Sequence, residues 1–534
     1  RNMKPIPQCP KTIVSIAFCC IFSISAIAQG VGINNDGSEP HSSAILDVKS
    51  TTQGMLIPRM TTAERTAIES PATGLMVYDL NTASFWYYDG AWRNLNNNWS
   101  LNGNDNVDPA THFIGTTTNS PLVFKVGSVL AGTINPGNQS ASFGIRTLPF
   151  SSTGLYNAAF GHYALEVNTS GARNAAFGVL ALRANTFGQG NMAVGYSALS
   201  SNTAGSNNVA LGNTALSSNS IGQGNAAVGY AALGGNLTGG YNVAFGYNAM
   251  QGNKEGAYNV ATGGYSMLAN NTGNYNVATG YAAMTYNVSG HHNVAVGSGA
   301  LYTNSGGNEN TAIGNFALGN SLGDRNTALG FQSLTSNTVG TYNTAVGAFA
   351  NVGAGNLTNA TAIGYGATVT ASNKVRIGNS AVTVIEGQVP FTTPSDGRFK
   401  FNIEENVKGL DFIMRLRPVT YQFDVKRFDD HDTMNNDNLQ ESMYSEALNL
   451  RRTGFIAQEV EKAAQEAGFQ FSGLTKPSSP DGYYSLSYES FVVPLVKGMQ
   501  EQQQQIKQQQ AQLDELKKEN EELRKMIKQL LDKL

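Results

Sequence analysis

The chain has 534 residues, 59 of them glycine, with 13% charged side chains and a formal net charge of −3. That length exceeds one compact domain, and so glycine-rich and charge-poor a composition is unlike an average globular enzyme. More than half of the charged side chains follow Ser395, and no Lys/Arg cluster stands apart from the charged C-terminal stretch, so the electrostatic footprint of a nucleic-acid binder is missing.

In chain order, the first feature is an export signal. Lys4 and Lys11 precede an apolar run from Thr12 to Ile24, and Ala26-Ile27-Ala28 places small residues where a signal peptidase reads. This predicts a signal peptide over 1–28, cleavage before Gln29, and a secreted or cell-surface protein. The run is shorter than the about 20 residues that cross a bilayer, so no membrane span is expected in the mature chain. Cys9, Cys19 and Cys20 all lie inside the segment, which leaves the mature chain without disulfides or thiolate chemistry. Residues 29–108 read as a small β-rich module and linker. Alternation in Gly74–Tyr78, the run Phe85-Trp86-Tyr87-Tyr88 and the Asp89-Gly90 turn before Trp92 predict a hairpin, whose rings at this spacing more often form core than a carbohydrate platform. Asn94–Asp108 is Asn-rich and reads as linker, and 109–139 as a connecting β segment.

Residues 140–390 repeat. Asn157, Asn174, Asn191 and their successors to Asn310 stand 17 residues apart; Asn326 comes one residue early, Asn343 restores the step, and Ala360 takes the place in the last clear copy. Ala follows two residues later and Gly four later, with Leu or Met at eight and, usually, a second Asn at eleven and Gly at fourteen. A unit this short cannot bury a core alone, so copies must stack into a solenoid. Apolar residues one and three after the Asn, such as Val209 and Leu211, are expected to face the interior. Ala at two then faces outward, where another chain or coil approaches closely. Gly at four and fourteen is expected to permit positive-φ turns, and the Asn positions to form a ladder of amide hydrogen bonds. At about 4.8 Å per layer, about 14 copies would make a rod of roughly 65–70 Å.

The units Asn-Val-Ala-Val-Gly-Ser-Gly-Ala-Leu (293–301) and Asn-Thr-Ala-Ile-Gly-Asn-Phe-Ala-Leu (310–318) resemble the head repeats of trimeric autotransporter adhesins, and Ser372–Gly378 is similar to the way such heads end. The resemblance implies a parallel homotrimeric β-roll that binds a surface glycan or a host or cell-surface receptor. Those heads lead on to a membrane β-barrel; this one leads into a different segment.

That segment opens with Pro394-Ser395-Asp396-Gly397-Arg398-Phe399-Lys400-Phe401-Asn402-Ile403. It continues through Leu416-Arg417-Pro418-Val419-Thr420-Tyr421, Gly454-Phe455-Ile456-Ala457-Gln458-Glu459-Val460 and Tyr484-Ser485-Leu486-Ser487-Tyr488. Residues 395–498 thereby resemble the intramolecular chaperone domain of phage endosialidases and tail fibres, peptidase family S74. The resemblance implies a single-turnover serine autoprotease without external substrates: Ser395 as nucleophile, Lys400 as general base, Pro394-Ser395 as the scissile bond. Asp396, Arg398, Asn402 and Gln458 are supporting candidates. A lysine serves as base only when desolvation or positive neighbours lower its pKa from about 10.4; Arg398 and burial at a trimer interface are the candidate sources. Arg451-Arg452-Thr453 stands where many members carry a His.

No cofactor and no metal site is expected; Asp429-Asp430-His431-Asp432, in the acidic stretch 423–450, reads as a solvated loop, since adjacent residues rarely converge on one ion. Residues 499–534 read as a coiled coil, with Ile506, Leu513, Asn520, Ile527 and Leu534 at heptad position a and Gln509, Leu516, Leu523 and Leu530 at d. Glu519 and Arg524 fit a pair between helices.

The fold class expected is therefore mainly β: a 17-residue-repeat solenoid, homotrimeric, followed by an α+β chaperone domain and a coiled coil. The partner expected first is the chain itself. Two other readings stand beside the secreted adhesin-like fibre. A polysaccharide-binding or -degrading spike would draw on Glu166, Glu255, Glu309, Asp324 and Glu386, of which only Glu309 and Asp324 lie about one coil apart; hydrolysis needs a spaced carboxylate pair. A phage-type tail fibre conflicts with the export signal.

Overall fold

A computed structural model of the chain describes residues 30–95, 113–432, 441–477 and 482–533. The expected signal peptide, the three cysteines and most of the Asn94–Asp108 linker lie outside them. The chain divides into two compact units, Arg1–Gly115 and Thr116–Leu534.

In the first unit, strands Val31–Asn34 and Leu46–Lys49 pair in parallel. A four-stranded sheet runs in the order Arg59–Met60, Met76–Asp79, Ser84–Tyr88, Trp92–Asn94, its last two strands forming the hairpin around Gly90. The short helix Thr62–Thr66 starts with a capping box, in which Thr61 and Glu64 satisfy each other's backbone N–H groups. Behind it Arg65 is buried with its Nε 2.9 Å from Asp79 and its guanidinium 3.6 Å above the Trp86 ring. Many apolar side chains stay uncovered, among them Ile45 at 87% and Leu56 at 75% exposure.

The second unit begins with strands Leu122–Val126 and Val129–Asn135, an antiparallel hairpin that pairs onto Ser140–Phe143 and covers the first coil. From there every strand is parallel to the next, in unbroken register from Ser140–Phe143 to Val375–Ile377. The one-residue shortening before Asn326 leaves that register intact, with Thr311 opposite Thr327.

The strands are only three residues long, and their faces are the reverse of the expected ones. Ala at two after each Asn is fully buried, as are Ala at seven and Leu or Met at eight, exemplified by Ala210, Ala215 and Leu216. The residues at one and three point outward: Val209 and Leu211 are half-buried, and Phe160 and Phe177 stack on the outside with centroids 5.2 Å apart. A coil this tight brings its opposite walls so close that alanine fills the gap beside the strand. The larger side chains are left outside.

Two columns of buried asparagine run through this narrow interior. Asn208 donates from Nδ2 to the Gly222 carbonyl at 2.9 Å and to Asn191 Oδ1 at 3.2 Å, while its backbone N–H reaches the same Oδ1 at 3.0 Å. In the second column Asn219 Nδ2 donates to Asn202 Oδ1 at 2.8 Å and to the Gly222 carbonyl at 3.0 Å. Where the coil is one residue short, Ser321 takes the Asn place, and Asn304 Oδ1 has no partner among the described residues. The two glycines differ in purpose. Gly at four has the expected positive φ, +143° at Gly212. Gly at fourteen is needed for space: a Cβ on Gly222 would sit 2.4 Å from the Gly239 carbonyl oxygen and from Asn219 Oδ1.

Beyond the solenoid, Phe412, Val460, Ala463, Ala464, Ala467, Phe471 and Phe491 form the core of an α+β domain, with an antiparallel pair Val419–Gln422 and Arg451–Gly454. The expected solvated loop is instead the helix Val425–Asp432, with Asp429 buried, because Phe428 packs on Phe423 and Tyr483 and turns Asp429 inward. The helix Val492–Leu531 closes the chain. Its heptad side chains Ile506, Leu513, Leu516, Leu523, Ile527 and Leu530 are all exposed, as a seam awaiting partner helices would be; Leu534 lies outside the described residues.

Two outcomes follow. Asn219→Ala removes both Nδ2 bonds and strips Asn236 of one of its two acceptors, and is expected to lower stability by ~1–3 kcal/mol, read as a lower urea midpoint; Gly222→Ala should lower it further, and the exposed Ile221→Ala hardly at all. In the first unit burial would raise the Asp79 pKa, but Arg65, Thr62 and the N–H groups of Thr82 and Asn81 hold it down to about 2. A folded pKa below the unfolded value of about 3.9 gives stability that is complete above that pH and lost as pH falls through about 2. All three tryptophans, Trp86, Trp92 and Trp99, belong to this region, so fluorescence should report a transition between about pH 4 and 2 that Asp79→Asn abolishes.

Candidate functional site: the segment around Ser395

From Phe391 to Lys400 every residue is exposed, and the only regular element is the one-turn 3-10 helix Gly397–Phe399. Asp396 caps that turn, its carboxylate accepting from the Arg398 backbone N–H at 2.9 Å. The turn closes through Phe399 N–H to the Asp396 carbonyl and Lys400 N–H to the Gly397 carbonyl, both at 3.1 Å. Five residues of chain are thus folded back on themselves. Lys400 Nζ comes to 2.8 Å from Ser395 Oγ, within hydrogen-bond reach.

The supporting candidates divide. Arg398 is engaged by Asp396 through Nε at 3.0 Å and through Nη2, which lowers the Asp396 pKa and raises that of Arg398. Its charge is largely spent on that carboxylate rather than free to act on Lys400. Asn402 has a left-handed backbone, φ +50°, and Gln458 is exposed on the helix Ala457–Glu466. Neither makes a hydrogen bond to Ser395 or Lys400 among the described residues.

The other motifs meet one another instead of the dyad. A Cβ on Gly454 would strike the Tyr488 hydroxyl, and that hydroxyl accepts from the Phe455 N–H at 3.0 Å, so two motifs separated by over 30 residues form one contact. Arg417 pairs with Glu459 through Nε and Nη2, fastening a third motif to the one that holds Gly454. A Cβ on Gly409 would fall 2.6 Å from the Gly498 nitrogen, and Leu410 N–H donates to Glu501 at 2.7 Å; the long helix is seated on the domain there. These residues build the scaffold. Arg452 stands 5.9 Å over the Phe423 ring, in the stretch where many members of the resembled family carry a His.

On the solenoid, Glu309 is held by Arg325 at 2.9 Å, which lowers its pKa, while Asp324 accepts from the Asn308 backbone N–H at 2.7 Å. A glycosidic general acid needs the opposite shift.

Comparison with known proteins adds two findings. Residues 32–109 match the family model of a phage tail like trimerisation region. Residues 395–469 match that of the chaperone of endosialidase, peptidase S74. No curated protein matches the chain. The two regions, with the solenoid between them, define a trimeric, tail-fibre-like protein that associates with copies of itself. Sequence reasoning read 29–108 only as a small β-rich module and linker. The signal available there was the density of apolar side chains in a short, weakly cored stretch, which the structure leaves uncovered.

Proposed function

We propose that this is an exported fibrous protein of the cell surface whose C-terminal domain templates trimer assembly and then cuts the Pro394–Ser395 bond. The observation that carries the proteolysis is the 2.8 Å approach of Lys400 Nζ to Ser395 Oγ. In the reaction Lys400 accepts the Ser395 hydroxyl proton and Oγ attacks the Pro394 carbonyl carbon. The C–N bond breaks as the proton passes to the Ser395 nitrogen, leaving an ester that water hydrolyses. One turnover per chain follows from the nucleophile being part of its own substrate.

The pair stands in the open in one chain. A lysine acting as base has to be shielded from water, and the side chains able to shield it are close by and bare: Phe391, Phe399 and Phe401 are at least 80% exposed. In a trimer these rings and those of the neighbouring copies would cover the dyad, as the outward strand residues from Phe143 to Ile363 would cover one another along the solenoid. Cleavage is then conditional on assembly. Intact-mass measurement of the expressed chain should show a fragment beginning at Ser395, absent from Ser395→Ala and Lys400→Ala; an uncut wild-type chain would refute the proteolysis.

A ligand-binding role of the fibre has its own support. Tyr265, Tyr281, Tyr286, Tyr302 and Phe316 line an open groove of about 560 Å³ that bears no charged side chain. Burial and the neighbouring Tyr247 and Tyr281 raise the Tyr265 pKa, and a hydrogen bond with Tyr286 raises that of Tyr302, so both hydroxyls remain protonated donors. Rings flanked by neutral hydroxyls suit an uncharged saccharide, whose CH faces stack and whose hydroxyls are bonded. On a neutral-glycan array, Tyr281→Ala should abolish retention while leaving the trimer intact; equal retention by wild type and variant would remove the groove from the reading.

A further inference from the structure

The C-terminal domain touches the last solenoid coil through contacts that straddle the proposed cleavage point. On the solenoid side stand Lys374, Arg376 and Ser380; on the other, Asp429, Phe428 and Tyr483. Lys374 Nζ donates to the Tyr483 hydroxyl at 2.8 Å and lies 4.6 Å from that ring's centroid. Tyr483 packs edge-on against Phe428 at 4.8 Å, and the Arg376 guanidinium is 5.9 Å from the same Phe428 ring. Ser380 Oγ donates to Asp429 Oδ2 at 2.5 Å, and that buried oxygen also accepts from the Tyr444 hydroxyl at 2.7 Å.

We propose that this contact is a latch that keeps the C-terminal fragment docked on the end of the solenoid after the Pro394–Ser395 bond is cut. Nothing in it passes through the cleaved bond, and residues 384–403, which join the two sides, are almost wholly exposed. Asp429 is buried at 5% exposure with Tyr444 behind it, so removing Ser380 leaves a desolvated carboxylate short of a donor. The last strand, Val375–Ile377, has no further coil to cover it, and terminal repeats of stacked proteins need a cap. The C-terminal domain supplies one. Three latches joined through one coiled coil also act together, so contacts that are modest singly hold as a set. On this view scission makes assembly irreversible without removing the cap, and release is a separate, later event.

The proposal rests on the self-cleavage reading for its biological setting, but its test does not. In the full-length Ser395→Ala chain, a recognition sequence for a site-specific protease is inserted between Gly387 and Pro394, and the trimer is cut with that protease. The two fragments are expected to co-elute on size exclusion. In the same background Lys374→Ala with Ser380→Ala, which spares Asp429–Tyr444 and the domain core, is expected to separate them. Parting of the fragments with the latch residues intact overturns the latch, as does co-elution of both forms. Failure of the wild-type chain to cut itself would touch only the proteolysis.

Discussion

The closeness of one coil to the next sets everything else in the repeat region. At Gly222 there is no room for even a β-carbon, and the carbonyls buried there face no water. A buried carbonyl needs a donor. The amide of asparagine brings two donors and one acceptor on a short stem, which is enough to satisfy a turn within its own coil and to reach the coil before it. That is why two columns of Asn, and not of Ser or Gln, run up the interior. The remaining space admits small residues, Ala or in places Ser such as Ser266 and Ser333, and in most coils one Leu or Met, the latter with a left-handed backbone, φ +51° at Leu216. Such a residue stores about 1–3 kcal/mol of strain, and only the burial of its side chain on both neighbours offsets it. A coil alone has no such neighbours, so the solenoid depends on stacking and on covered ends.

The same thinness pushes larger apolar side chains outward. The strand faces, the N-terminal unit, the segment around Ser395 and the heptad seam each present apolar surface that one chain leaves uncovered. Four separate regions with the same deficit, two of them matched to trimerisation and chaperone families, are most simply met by copies of one chain. In a trimer, association through the N-terminal region and through the exposed heptad seam would raise the effective concentration of segments whose glycine content makes ordering entropically expensive.

Much of this was legible in the sequence because the repeat is regular. The period, the strand positions and the Asn ladder follow from spacing alone. The side of the strand that faces inward did not follow. Alternation says that Val209 and Leu211 share a face and Ala210 the other, and the usual rule puts the larger residues inside; only the width of the coil, a tertiary quantity, reverses it. The two glycines likewise look alike on paper, although Gly212 serves the backbone and Gly222 the packing. In the C-terminal domain the motifs could be read, but their mutual contacts, Gly454 with Tyr488 and Arg417 with Glu459, could not. Asp429 was hidden for a different reason. A run of Asp and His looks solvated until Phe428 beside it finds an aromatic partner and turns one carboxylate inward.

The local origin of the Ser395–Lys400 contact bears on how the proposed cutting would be timed. A five-residue turn capped by Asp396 needs no distant support, so the pair can form in any copy, including one whose solenoid is unfolded. Geometry therefore cannot be what distinguishes a finished fibre from an unfinished one. Solvent can: the dyad of a lone chain is open to water, and no described residue of that chain covers it. In the proposed reaction, a base that works only when shielded would make the arrival of neighbouring copies the controlling step.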